Sequence, residues 1–235
     1  MALWVRWHLG SAGTLVEALA QGIIGGPKSK PHSRPCMAHL ETVTPQDKLP
    51  ARGGFLIRRG FVRTAAHCAG RSVTVTLGAH TIKKKEDTWP KLEVIKQFPH
   101  PKHDATVDHD SMVLRVHILL LQGFAFRSHC PDHRPTWETV PGAGWRRTTG
   151  EESASRTLQE GKLRLVEPQA CRHFTAFDYS LQLCVGNPQK AKPGDSGASS
   201  VLWGVSYGPS DAKPPAVFTR ISHDGPWTAK VLKEN

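Results

Sequence analysis

The stretch GDSG at residues 194–197 decides the fold of this chain, because other short motifs complete it. TAAHC lies upstream at residues 64–68, and Asp110 falls between the two motifs. A serine hydroxyl is a poor nucleophile at neutral pH, and it needs a base within hydrogen-bond reach that is itself oriented by a third group. The order His67, Asp110, Ser196 along the chain therefore predicts a nucleophilic triad.

Each motif taken singly has a plain structural interpretation. GDSG is often only a polar turn, TAAHC can be the end of a buried strand, and IIGG at residues 23–26 can be an apolar strand entering a turn. Their occurrence together, in this order and at these separations, favours the catalytic interpretation. On these motifs the sequence resembles a trypsin-fold serine protease, since the other common serine hydrolase folds order their triads differently.

The resemblance is closer to the mast-cell chymase and granzyme subgroup, and it covers most of residues 23–235. The segments that carry it are KPHSRPCM at 30–37, GFLIR at 54–58, LGAH at 77–80, DTWPKLEVIKQF at 87–98, TLQEGKLRL at 157–165, PQAC at 168–171, LQLCVGNP at 181–188 and SYGPSDAKPPAVFTRIS at 206–222. The resemblance fails at about residues 115–143 and in the short run after Ser196.

The resemblance implies an all-β protein of two packed antiparallel six-stranded β-barrels with a short C-terminal helix. The N-terminal barrel would cover about residues 23–128 and the C-terminal barrel and helix about 129–235, with the active site in the cleft between them. The sequence pattern agrees, because VTVTL at 73–77 alternates as a half-buried strand does. PWTAKVL at 226–232 predicts a helix with a proline near its first turn.

The first 22 residues predict a leader. Ala18-Leu19-Ala20 has the small-residue spacing of a signal-peptidase site. Cleavage there would leave the dipeptide Gln21-Gly22, which the resemblance identifies as an activation dipeptide. Charged residues interrupt the preceding apolar stretch, so residues 1–20 are interpreted as a degraded signal peptide. The resemblance implies a secreted or secretory-granule protein, and the lack of a long apolar run predicts no membrane span.

The resemblance assigns a role to each part of the triad. Ser196 would attack the scissile carbonyl, His67 would take its proton, and Asp110 would orient the imidazole. The backbone N–H groups of Gly194 and Ser196 would form the oxyanion hole. The implied activity is that of a serine endopeptidase cleaving after aromatic or leucine residues, without a metal or cofactor.

Further residues match the family's activation and substrate-binding positions. Asp195 would receive the new α-amino group of Ile23 once the activation dipeptide is removed. Ser206-Tyr207-Gly208 would pair with the substrate backbone as a strand edge. Ala216 would form one wall of the specificity pocket, where a small apolar residue suits Phe, Tyr or Leu.

The chain has five cysteines, an odd number for a family that pairs them. Cys171 and Cys184 match one family bridge, whereas Cys68 lacks its family partner. Cys36 and Cys130 stand at positions that the family does not normally fill with cysteine. We therefore expect up to three free thiols, which is unusual for an oxidising compartment.

Two other departures bear on activity. Pro193 alone separates Lys192 from Gly194, where relatives have a longer loop that includes the base of the specificity pocket. Arg63 precedes TAAHC where an aliphatic residue is usual, and a charge there is costly if the strand is buried. These changes favour drift under weak constraint.

The net charge of +11 favours a polyanionic partner. Heparin-like glycosaminoglycan is the candidate that the resemblance suggests, with contacts at Lys83-Lys84-Lys85 and Arg146-Arg147, and two solvated basic surfaces are an equal alternative. No nucleic-acid recognition motif accompanies the charge. We expect a monomer that acts on peptides or proteins.

Three functions stay open from the sequence. The chain can be an active chymotrypsin-like endopeptidase, an inactive basic homologue that binds glycosaminoglycan, or a poorly folding product of a decaying gene.

Overall fold

A computed structural model describes residues 28–43, 51–82, 91–103, 108–117, 139–145, 157–186 and 215–235. Within these ranges the regular elements are β-strands, two short 3₁₀ turns and a helix at the C-terminus. The predicted all-β class and the C-terminal helix are confirmed. No helix in these ranges is long and apolar enough to cross a membrane.

The first six strands close into a barrel. They are β1 (Met37–Val43), β2 (Ala51–Arg58), β3 (Phe61–Thr64), β4 (Ser72–Leu77), β5 (Lys91–Pro99) and β6 (Met112–Val116). Their order around the barrel is β1-β2-β3-β6-β5-β4, and every neighbouring pair is antiparallel. Because the barrel is closed, each of its six strands is hydrogen-bonded on both sides, and no edge is left with which a strand of another chain could pair. The predicted strand at 73–77 is β4.

The barrel interior is filled by aliphatic side chains that alternate along the strands. Leu40, Val62, Val75, Leu92 and Leu114 have no exposed surface and come from five different strands. Each such side chain stabilises the fold by roughly 1.5–3 kcal/mol on burial. The barrel core therefore provides a rigid support for the loops at its ends.

A four-stranded antiparallel sheet follows, in the order β10-β9-β8-β7. Its strands are β7 (Thr139–Gly144), β8 (Gln159–Leu165), β9 (Gln182–Gly186) and β10 (Ala216–Thr219). A disulfide between Cys171 and Cys184 joins the 3₁₀ turn Pro168–Cys171 to β9. The predicted second barrel also includes residues 129–138, 146–156 and 187–214, which lie outside the described residues.

The helix α1 (Gly225–Glu234) has a proline in its first turn and packs against the N-terminal barrel. Trp227, Val231 and Leu232 on the helix share a hydrophobic cluster with Phe61 of β3 and Val113 of β6. The last segment of the chain therefore supports β3 and β6, the two strands next to which the candidate catalytic residues His67 and Asp110 lie.

The other two described cysteines, Cys36 and Cys68, differ in their bonding. Cys36 is buried and disulfide-bonded, and its partner lies outside the described residues. Cys68 is the free cysteine of the described ranges, and it is buried. One free thiol in the described ranges lies within the expected limit of three. Cys36 is paired although the family does not normally place a cysteine there, because a disulfide requires only that two Cα atoms lie within about 7 Å in the folded chain.

Candidate active site

The pairing of β3 with β6 brings His67 and Asp110 together. The register places Thr64, the last residue of β3, opposite Met112, the first residue of β6. His67 follows β3 in the 3₁₀ turn Ala66–Cys68, and Asp110 lies two residues before β6. Because the strands are antiparallel, the end of one and the start of the other meet at the same rim of the barrel.

Asp110 accepts two hydrogen bonds from the same residue. The His67 imidazole Nδ1 lies 2.7 Å from Asp110 Oδ2, and the His67 backbone N–H donates to Oδ1 at 2.9 Å. The Asp110 side chain is fully buried, whereas that of His67 is 31% exposed. A carboxylate only accepts, so the Nδ1 atom carries the proton and the neutral imidazole keeps its lone pair on Nε2.

The pair perturbs the pKa values of both members. The hydrogen bond that His67 donates to Asp110 is the largest cause that raises the pKa of His67, a hydrogen bond with the Cys68 side chain adds to it, and burial opposes it. Burial raises the pKa of Asp110, but the hydrogen bonds and charge of His67 outweigh burial and hold that pKa below its usual range. Asp110 is therefore ionised at neutral pH and favours the imidazolium form of His67.

The second sheet also contacts this site. Thr219, the last residue of β10, donates its hydroxyl hydrogen to the backbone carbonyl of Asp110 at 3.2 Å. This bond joins the four-stranded sheet to the residue that orients His67. Sequence reasoning missed Thr219, because a threonine at the end of a strand carries no pattern that distinguishes it from other strand residues.

Arg63 is buried, with 4% of its surface exposed, but it is paired. Its guanidinium lies 2.9 Å from the carboxylate of Asp224, which directly precedes α1. Arg63 therefore does not leave an unpaired charge in the barrel, contrary to the interpretation of this position as simple drift. The partner is 161 positions away along the chain, so the sequence did not show it.

The structure places only some of the other predicted site residues. Ala216 is half-buried at the start of β10 and pairs with Val185 of β9. The remaining predicted positions lie outside the described residues: Ile23, Lys83-Lys84-Lys85, Cys130, Arg146-Arg147, Gly194, Asp195, Ser196 and Ser206-Tyr207-Gly208. Their roles stay predictions.

A closed six-stranded barrel with a histidine and a buried aspartate paired at its rim, and GDSG further along the chain, defines a class of protein. The chain belongs to the trypsin family of serine proteases, whose family model, described as Trypsin, matches residues 23–228.

Its relatives narrow this class to the chymase-like proteases. The chain is 60% identical over 232 residues to mast cell protease 2 of sheep (Ovis aries), covering 93% of this chain and 94% of the relative. It is 58% identical over 232 residues to chymase of dog (Canis lupus familiaris), covering 93% of each. A solved structure titled "Structure of GrC" matches with a TM-score of 0.75 at 35% identity, over 89% of this chain and 99% of that one.

Proposed function

We propose that this protein is a chymase-like serine endopeptidase that uses Ser196, His67 and Asp110 to cleave peptide bonds after aromatic or leucine residues. The observation that supports this most directly is the His67–Asp110 pair. Both oxygens of one buried carboxylate accept N–H groups of the same histidine, at 2.7 and 2.9 Å. This arrangement leaves Nε2 of His67, the more exposed member of the pair, as the proton acceptor.

In the proposed reaction, the Ser196 hydroxyl attacks the scissile carbonyl while His67 Nε2 takes its proton. The imidazolium then donates this proton to the departing amine, and Asp110 remains ionised throughout. The backbone N–H groups of Gly194 and Ser196 stabilise the oxyanion, and each such donor contributes on the order of a hundredfold or more to the rate. The acyl group of the substrate then remains bonded to Ser196. A water molecule attacks this acyl-enzyme, again with His67 as the base, and the carboxylic acid product is released.

The proposed specificity follows from Ala216 and from the relatives. A small, half-buried residue at the start of β10 would leave room for a large apolar side chain, and six of the similar proteins are named chymase. The edge Ser206-Tyr207-Gly208 would align the substrate backbone. Because Pro193 alone fills a longer loop of the family, we expect substrates to be anchored weakly. Activated esters should then be cleaved much faster than amides.

We also propose that the protein is a zymogen. Removal of Gln21-Gly22 would free the amino group of Ile23 for an ion pair with Asp195, which would order the oxyanion loop. Protein processed to begin at Ile23 should hydrolyse a peptide ester, and protein that retains the dipeptide should show little turnover. Equal turnover by both forms would contradict the switch.

A fluorophosphonate probe tests the triad itself, because it labels only an activated serine. The processed protein should be labelled, and Ser196→Ala should abolish both labelling and ester hydrolysis. Ser180→Ala is the matched control, since this serine is exposed and lies between the turn at Cys171 and β9. A folded parent that resists the probe would rule out the enzyme and favour the inactive homologue.

The partner and location that we propose are a heparin-like glycosaminoglycan and the secretory pathway, with the protein a monomer. The support is the net charge of +11 and the chymase-like relatives. Elution of folded protein from immobilised heparin should require high salt. Changing Lys83-Lys84-Lys85 to alanine should lower the salt concentration at which the protein elutes. Unchanged elution would show that these lysines do not contact heparin.

A further inference from the structure

A buried ion pair lies beside the His67–Asp110 pair. Arg63 Nη2 and Asp224 Oδ2 are 2.9 Å apart, and their side chains are 5% and 1% exposed. Arg63 belongs to β3 and Asp224 directly precedes α1, so the ion pair joins the barrel to the C-terminal helix. A guanidinium presents several donors in a fixed fork, so Arg63 can bind other acceptors while it holds Asp224.

The ion pair contacts both residues that flank Asp110. Arg63 Nη2 also donates to the Ser111 hydroxyl oxygen at 2.7 Å. On the other flank, His109 Nδ1 lies 3.3 Å from Asp224 Oδ1, which accepts its hydrogen. Each neighbour of Asp110 is therefore bound to one member of the ion pair.

The backbone at this point needs such support. His109 has a φ of 47°, a left-handed conformation that residues other than glycine rarely adopt. The Ser111 N–H donates to the His109 carbonyl at 2.6 Å, which closes a tight turn around Asp110. A strained turn persists only where the surrounding contacts fix it, and the ion pair supplies a contact on each side.

We propose that Arg63 and Asp224 are positioning residues that hold the turn 109–111, so that the Asp110 carboxylate meets both N–H groups of His67. This inference rests on the proposed function. Neither residue touches the reacting atoms. Their effect passes through the turn to Asp110 and from there to the proton affinity of His67.

A metal site is the alternative use of this cluster. His100, His109 and Asp224 bring one ligand atom each within 4.8 Å of one another. However, the backbone N–H of Lys102 donates to His100 Nδ1 at 3.2 Å. In the neutral ring the proton of His100 therefore lies on Nε2, which is 3.9 Å from Asp224 Oδ1. A metal needs a lone pair at that atom, and Arg63 already binds the other carboxylate oxygen. The cluster is therefore better described as a hydrogen-bond network.

Ser111→Ala tests the proposal in the full chain, because it removes the link from Arg63 to the turn and leaves the ion pair in place. Thr228→Val is the matched control. Arg63 Nη1 donates to the Thr228 hydroxyl at 3.0 Å, so this change also removes a buried hydroxyl from the same guanidinium, on the helix side. The readout is the pKa of the His67 imidazole, followed by NMR during a pH titration.

We expect Ser111→Ala to lower the pKa of His67 towards 6.5, the ordinary value for histidine, and Thr228→Val to leave it unchanged. In processed, active protein, kcat should fall about tenfold for Ser111→Ala with little change in KM, since a small displacement of catalytic groups acts on the chemical step. An unchanged His67 pKa in Ser111→Ala, or an equal shift in both variants, would overturn the proposal.

A second comparison separates positioning from stability. Arg63→Met alone should lower the melting temperature, because it leaves the Asp224 charge buried and unpaired. Combining it with Asp224→Leu should restore the melting temperature but leave the pKa of His67 low. A double variant with parental stability and a parental His67 pKa would refute the positioning role. The titration needs no turnover, so an inactive parent would refute the proposed function and still leave this inference testable.

Discussion

Replacing Asp110 by asparagine should convert His67 to the wrong tautomer, and the structure shows why. The His67 backbone N–H donates to Asp110 Oδ1. The NH₂ group of an asparagine cannot take this position, because its nitrogen has no lone pair to accept the hydrogen bond. The amide oxygen must therefore take that position, and the NH₂ group replaces Oδ2, which lies 2.7 Å from Nδ1. Nδ1 must then accept, so the proton moves to Nε2, where the Ser196 proton has to go.

The expected loss is on the order of 10⁴-fold in kcat at neutral pH, which is the cost of the equivalent change in the trypsin triad. The substrate pocket is untouched, so KM should change little. The assay is steady-state hydrolysis of a peptide ester by processed protein, with active sites counted by titration. Asp178→Asn is the control, because it makes the same chemical change at a carboxylate held by Ser180. A loss of less than tenfold in Asp110→Asn would refute the tautomer argument.

The same pair should shape the pH dependence of activity and stability. The pKa of His67 is raised from 6.5, so the acid limb of kcat/KM should lie above pH 6.5.

For the stability of the fold, the contribution of His67 is complete below pH 6.5 and is lost as pH rises through its folded pKa. The contribution of Asp110, whose pKa is lowered from 3.8, is complete above pH 3.8 and is lost as pH falls through its folded pKa. Urea unfolding should show the full contribution between these values, and Asp110→Asn should remove it.

The remaining predictions concern the scaffold. Gly54→Ala should lower the free energy of unfolding by about 1–3 kcal/mol, because an added Cβ would lie 2.7 Å from a backbone oxygen of β3. Gly53→Ala is its control and should have a much smaller effect, since no atom lies within 4 Å of its added Cβ. Replacing Cys171 and Cys184 by alanine should cost about 3 kcal/mol by the loop-entropy estimate, and an unchanged urea midpoint would contradict a structural role for the bridge.

Part of the site could be read from the sequence because catalysis imposes local patterns. GDSG, TAAHC and the aspartate between them predicted the family, and the family fixed the all-β class and the C-terminal helix. The pairing of His67 with Asp110 was also expected, since the residues around each are family motifs. Strand β4 was visible from its alternation, because one face of the strand is buried and the other is not.

Other features depended on contacts between distant parts of the chain. The sequence suggested that Arg63 was a costly charge, because its partner Asp224 lies far along the chain and reaches it only when α1 packs on β3 and β6. The disulfide of Cys36 was missed for the same reason, since a family position does not measure the distance between two sulfur atoms.

The sequence by itself thus determined which chemical groups the protein has and which family arranges them. Only the tertiary structure decided which polar groups satisfy one another, such as buried Arg63 with Asp224 and half-buried Thr219 with the Asp110 carbonyl. The physical reason is that the cost of burying a polar group depends on its partner. That partner is fixed by how the barrel, the second sheet and the helix pack together, which no local pattern in the sequence encodes.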